Sequence, residues 1–135
     1  MIIGSIAIMV FVSAVLAQET YLPFLSLARD IPLAPGLVEK NERAVIFDKP
    51  QGRIIRMVAQ HQEGRQEGRQ GGRQEETNAA VKAYYQAILP NLGWIYVGAE
   101  GDLRFQRDGE ALTIILNNNA PEIVFEITPL KPKSY

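Results

Sequence analysis

The sequence predicts an α+β fold in which one amphipathic helix packs on an antiparallel sheet, the elements running β-hairpin, helix, four-stranded meander. Three observations carry that expectation. Apolar residues recur at helical spacing in one stretch only, at Val81, Tyr84, Tyr85 and Ile88. Short β-branched and aromatic runs fill most of the remaining chain, and turn residues separate them. Of 135 residues, 47% are apolar and 21% charged, which suits a packed core and departs from the highly charged profile of disordered chains. The length accommodates one domain of ordinary size.

The first stretch, MIIGSIAIMVFVSAVLAQ, has no charged side chain, and its apolar run ends in Val15-Leu16-Ala17. This shape predicts an export signal over residues 1–17, with Val15 and Ala17 as the small-residue positions before cleavage at Gln18. No Lys or Arg precedes the run. The alternative is an uncleaved anchor over residues 2–17, close to the lower limit of a bilayer span. Cleavage leaves about 118 residues, enough for one core. With no cysteine, that core forms without disulfides.

Residues 18–43 read as an extended Leu/Pro-rich arm, because Pro23, Pro32 and Pro35 prevent any long helix. Its leucines are too numerous for a solvated linker. Phe24, Leu25, Leu27 and Leu33 are expected against the body of the domain, or in a docking segment for another protein. The single domain is expected over residues 44–130.

AVIFD and RIIRMVAQ flank Lys49-Pro50-Gln51-Gly52, whose Pro and Gly favour a tight reversal, so the pair reads as a hairpin. Gln62 to Glu76 follows as QEGRQEGRQGGRQEE. It holds three arginines and four glutamates and no apolar side chain, so it is no basic arm for a polyanion and is expected as a flexible loop over residues 62–76. The helix is expected to start at a Thr77 or Asn78 cap and to stop before Pro90. WIYVG, LRFQR, ALTIIL and EIVFEIT then read as strands. Asp108-Gly109 is the strongest turn among them, suited to the positive φ of a type I′ hairpin.

Chemistry is sparse. His61 is the one histidine and there is no cysteine, so no zinc or copper set can be assembled, and a solvent-exposed side chain is expected there. Ser26 and Ser134 lie outside any Gly-x-Ser-x-Gly elbow. Glu122 and Glu126 fall on one face of a strand, as expected of a solvated outer face. Gly64, Gly68, Gly71 and Gly72 form no phosphate loop. The sequence therefore predicts no enzyme, no metal and no cofactor. The net charge of -1 gives no general attraction to nucleic acid. Tyr84, Tyr85, Trp94, Tyr96 and Phe105 concentrate the aromatic character and are expected between helix and sheet.

VIFDKPQGRI, AYYQAILPNLGW and LRFQRDGEALTI resemble a pattern found in small exported, uncharacterised proteins of alphaproteobacteria. The resemblance covers roughly Pro35 to Pro129, with the repeat as a departure from it. It implies a fold and an envelope location, and neither an activity nor site residues.

The expected role is that of an exported, non-enzymatic interaction or accessory module, periplasmic unless residues 2–17 anchor it to the inner membrane. An envelope protein is the expected partner, and Phe24 and Leu27 are candidate contacts. The alternative is a small-ligand module with a pocket between helix and sheet lined by Tyr84, Trp94 and Tyr96. Mass spectrometry of the native protein is expected to show an amino terminus at Gln18. Recovery of only the intact chain from membranes contradicts cleavage and supports the anchor.

Overall fold

The computed structural model describes residues 23–62, 72–98 and 101–131, the side chains of residues 72–75 excepted. The expected leader and most of the repeat lie outside the described residues. Within them the fold is α+β. The strands are β1 (Leu37–Glu39), β2 (Val45–Lys49), β3 (Gly52–His61), β4 (Ile95–Tyr96), β5 (Leu103–Arg107), β6 (Glu110–Leu116) and β7 (Glu122–Pro129). The helix is α1 (Gly72–Ile88), and 3-10 turns occupy Asn41–Arg43 and Leu89–Leu92.

One antiparallel sheet contains all seven strands, in the order β1-β3-β7-β6-β5-β4, with β2 also on β3. The expected hairpin, helix and meander is therefore corrected in two respects. A further strand, β1, forms within the supposed arm, and β3 pairs with β7 from Ile55↔Ile127 to Gln60↔Glu122, merging hairpin and meander. β1 and β2 share one side of β3, Glu39 facing Ala59 and Val45 facing Arg56, while the 3-10 turn steps out between them.

Alternation along the strands makes one sheet face apolar. Ile55, Met57, Phe105, Leu112, Ile114, Ile123, Phe125 and Ile127 are all buried on it. The type I′ signal at Asp108-Gly109 is matched by φ values of 47° and 79°, the positive pair that such a turn requires. On the opposite face Glu126 pairs with Arg56 at 3.2 Å and Glu122 with Arg43. These exposed pairs are worth about 0–1 kcal/mol each.

The helix starts earlier than its expected cap. Gly72 to Glu76 is helical, which corrects the loop expected through Glu76. From Arg73 to Leu89 there is neither Gly nor Pro, and Arg, Gln and Glu are good helix formers, so helix can extend back to the last glycine of the repeat. Asn78 is consequently internal and buried, its Nδ2 donating to Asn118 Oδ1 at 2.9 Å. At the other end Pro90 halts the α-helix after Ile88. The chain makes one 3-10 turn and leaves through Gly93, whose φ of 88° is left-handed.

Helix α1 buries only Asn78, Val81 and Tyr85 among its described side chains, too few to cover a seven-stranded sheet. Residues 23–37 supply the rest of the cover, with Leu25, Ala28, Ile31, Leu33, Ala34 and Leu37 buried in the same core. Leu25 and Leu33 lie where the leucines of the arm were expected, but the segment is a folded-back loop that bridges Phe24 to Pro32 and not an extended arm, and it belongs to the core of the domain. Full burial of a Leu or Ile is worth about 1.5–3 kcal/mol, so the four large side chains together match the whole margin of about 5–15 kcal/mol that separates folded from unfolded domains. The segment cannot detach without unfolding the protein. Of the two candidate contacts within it, Phe24 is half exposed and Leu27 packs against the core.

Tyr85 joins segment, helix and sheet. Its ring is wholly buried, edge-on to Phe125 at 5.4 Å. Its hydroxyl accepts from the Ala34 N–H at 3.0 Å and donates to the Pro32 carbonyl at 2.9 Å. Burial pushes this phenol well above the ordinary tyrosine range, with the Ala34 N–H acting weakly in the other direction. The folded state thus disfavours the phenolate: the stabilisation is complete below the unfolded value near 10 and is lost as pH rises from there toward the folded value. Tyr85→Phe is expected to cost about 1–3 kcal/mol at neutral pH by orphaning two backbone groups. Above about pH 10 its stability should fall less steeply than that of the wild type, by up to about 1.4 kcal/mol per pH unit. Urea titrations at a series of pH values measure both effects, and parallel alkaline slopes contradict this role for the buried phenol.

Candidate functional site

Trp94 follows the left-handed exit at Gly93 and turns back into the core, where it is 1% exposed. Arg107 lies over its ring, 4.2 Å from the centroid, a cation–π contact. The same guanidinium donates to the Leu92 carbonyl at 3.0 Å and pairs with Asp30 of the leading segment. Trp94 is therefore a packing residue, and its Nε1 is buried without a partner among the described residues. Tyr84 is partly buried, edge-on to Tyr85 at 5.1 Å. Tyr96 is exposed on β4, its ring 5.4 Å from that of Phe105. The three residues expected to line one pocket thus occupy the flank of the helix, the core and a sheet edge. Tyr85, Trp94, Leu25 and Ile31 fill the layer where that pocket was expected.

His61 also departs from expectation. It ends β3 opposite Leu37 and is partly buried, with its Nε2 enclosed and unpartnered among the described residues. Burial lowers its pKa from the ordinary value. Among the described residues no group of three or more His, Cys, Asp or Glu could hold a metal ion. Ser26 binds Glu39, its hydroxyl at 2.7 Å and its N–H at 2.9 Å, which fixes the leading segment to β1.

A shallow cavity of about 260 Å³ opens on the sheet face away from the helix, lined by Arg104, Thr113, Thr128 and Lys131 among others. It falls below the roughly 300 Å³ at which pockets for drug-sized ligands begin.

Most of the large exposed apolar residues among the described ones gather at two edges of the sheet, β2 and β4. On β2, Val45, Ile46 and Phe47 are 38%, 51% and 59% exposed. On and beside β4, Ile95, Tyr96 and Val97 are exposed as well. An edge strand also offers unpaired backbone groups, a template for another strand. The two edges differ in length: β4 has two residues and β2 has five.

Hydrogen-bond parity identifies the groups that β2 leaves free. The Lys40 N–H donates to the Val58 carbonyl, and the Gln62 N–H to the Gly36 carbonyl. Even-numbered residues of β3 therefore direct their backbone groups toward the β1/β2 side. Because alternate residues of a strand bond to opposite sides, Val45, Phe47 and Lys49, which face Arg56, Ile54 and Gly52, bond inward. Ile46 and Asp48 direct their N–H and C=O groups outward, where no strand lies among the described residues.

Sequence reasoning missed this edge because it treats an apolar run as core. A signal was available. Val45-Ile46-Phe47 places apolar side chains on both sheet faces, whereas a single helix covers one.

At protein concentrations low enough that copies of the chain do not associate, Phe47→Ser and Ile95→Ser are expected to change stability by less than about 0.5 kcal/mol, as exposed positions do. Trp94→Ala is expected to cost about 3–5 kcal/mol. Urea unfolding followed by circular dichroism distinguishes them, and a large loss at Phe47 means that β2 is packed. No family model, curated protein or solved structure matches the chain.

Proposed function

We propose that this protein is a non-enzymatic interaction or accessory module of the bacterial envelope, which engages another protein by adding a strand to β2. The exposed Val45-Ile46-Phe47 run, beside the outward backbone groups of Ile46 and Asp48, carries the reading. In strand addition the backbone supplies affinity and alternate side chains supply specificity. Phe47 is the largest apolar side chain on that edge and serves as the anchor. The export-like sequence of residues 1–17 and the resemblance to small exported alphaproteobacterial proteins support a periplasmic location. No helix among the described residues is long and apolar enough to cross a membrane.

The ligand-binding alternative has less support, because the layer between helix and sheet is filled by core side chains. The cavity on the outer face favours at most a small anion, given Arg104 and Lys131 in its lining.

A photo-crosslinking residue at position 47, introduced into the protein in its native envelope, is expected to give discrete crosslinked species. The same residue at Arg104, on the outer face, should give few. Equal patterns at the two positions, or none at 47, contradict interaction through β2.

A further inference from the structure

The partner of β2 is itself identifiable from the hydrogen-bonding pattern of the strand. We infer that β2 pairs with β2 of a second copy of this chain, antiparallel, about a two-fold axis through Phe47. This rests on the reading of β2 as the interaction edge.

Strands can join here only if outward residues pair with outward residues, and in β2 those are Ile46 and Asp48. A two-fold pairing then has three possible centres. Centred on Ile46, it sets Ala44 against the partner copy's Asp48, but the Ala44 N–H is already bonded to the Asn41 carbonyl at 3.1 Å. Centred on Asp48, it places two aspartates directly opposite, a destabilising like-charge pair, and sets Ile46 against Pro50, which has no N–H to give. Centred on Phe47, it sets Ile46 against Asp48 in both halves, and every outward N–H and C=O of the two residues is satisfied.

In that register the two Phe47 rings meet across the axis as a non-hydrogen-bonded pair, the closer of the two antiparallel spacings. Val45 lies beneath the aliphatic stem of the other copy's Lys49. The exposed apolar side chains on the outer face of β2 are thereby covered.

The other edge is a poorer match. β4 has two residues, and only Tyr96 directs its backbone groups outward, because the Val97 N–H donates inward to the Arg104 carbonyl. Pairing β2 with β4 is also head-to-tail and leads to a ring or an open filament, whereas β2 with β2 closes as a dimer. Two seven-stranded sheets become one continuous sheet across the interface.

Because the chain has no cysteine, single-cysteine variants report the register directly. The Cα atoms of the two Phe47 residues should lie about 4.5 Å apart, inside the span of about 4.4–6.8 Å that a disulfide bridges. Those of Ile46 and of Asp48 are separated from their own counterparts by about 8 Å, two residues along the strand and one strand across. The test uses the full chain purified from the envelope, with the variants Phe47→Cys, Ile46→Cys and Asp48→Cys under mild oxidation. Trp94 fluorescence verifies that each variant is folded. Phe47→Cys is expected to form covalent dimer at least about ten-fold faster than the other two, since only its sulfurs meet within disulfide range. In sedimentation the wild type should show a concentration-dependent dimer. Phe47→Lys, which opposes two like charges at the axis, should weaken it at least about ten-fold.

Preferred crosslinking at position 46 or 48, equal rates at all three, or a wild type that stays monomeric at every concentration overturns the homodimer. If the monomeric wild type nevertheless crosslinks to envelope proteins through position 47, the homodimer fails and the interaction reading stands.

Discussion

The hydroxyl of Tyr85 sets the organisation of this protein. It is a buried polar group, and such a group is costly unless its hydrogen bonds are made. Its two bonds, to the Ala34 N–H and the Pro32 carbonyl, can form only if the leading segment lies across the apolar face of the sheet beside the helix. A short helix then suffices, because residues 23–37 complete the cover and Arg107 ties Asp30 of that segment to Trp94 and Leu92. The same arrangement disposes of the prolines: a stretch with Pro23, Pro32 and Pro35 cannot be one helix, but it can pack as a turn-rich loop that doubles back where Phe24 bridges Pro32.

Filling that layer has a functional consequence. With Tyr85, Trp94, Leu25 and Ile31 inside, the space between helix and sheet is core, so the proposed interaction role falls to the periphery. The described residues cover one face of the sheet, and β2 projects where neither the helix nor the leading segment hides it. Its apolar side chains and outward backbone groups coincide at one edge, as a strand-pairing surface requires. β4, at the opposite edge, is protected by its shortness.

Much of this was legible in the sequence where a signal is local. The strand faces of β5 to β7 followed from alternation at Leu103, Phe105, Ile123, Phe125 and Ile127, and the Asp108-Gly109 turn and the stop at Pro90 and Gly93 followed from backbone chemistry. The additional strand β1 did not, because Leu37-Val38-Glu39 has no strand pattern of its own and pairs only when His61 to Ala59 is already in place. The helix start was obscured by glycines whose regular spacing ends at Gly72. The role of Trp94 was readable, since an aromatic directly after a helix exit can turn back to close a core. The pocket expected around it was not realised, because the residues that fill the space come from the leading segment, far away in sequence. The exposed edge was missed for a related reason: hydrophobicity alone does not reveal which strand lies last in a sheet.

Residue-resolved hydrogen exchange at low protein concentration tests the central claim, that the leading segment is core and β2 is a free edge. The Ala34 amide, held by Tyr85, is expected to exchange only through global unfolding, at the rate shared by the amides of Met57 and Phe125. Ile46 and Asp48 should exchange quickly, while Val45 and Phe47, bonded inward to β3, are protected. An Ala34 amide that exchanges freely while Met57 stays protected would mean that the leading segment opens independently of the core, which contradicts the role assigned to Tyr85.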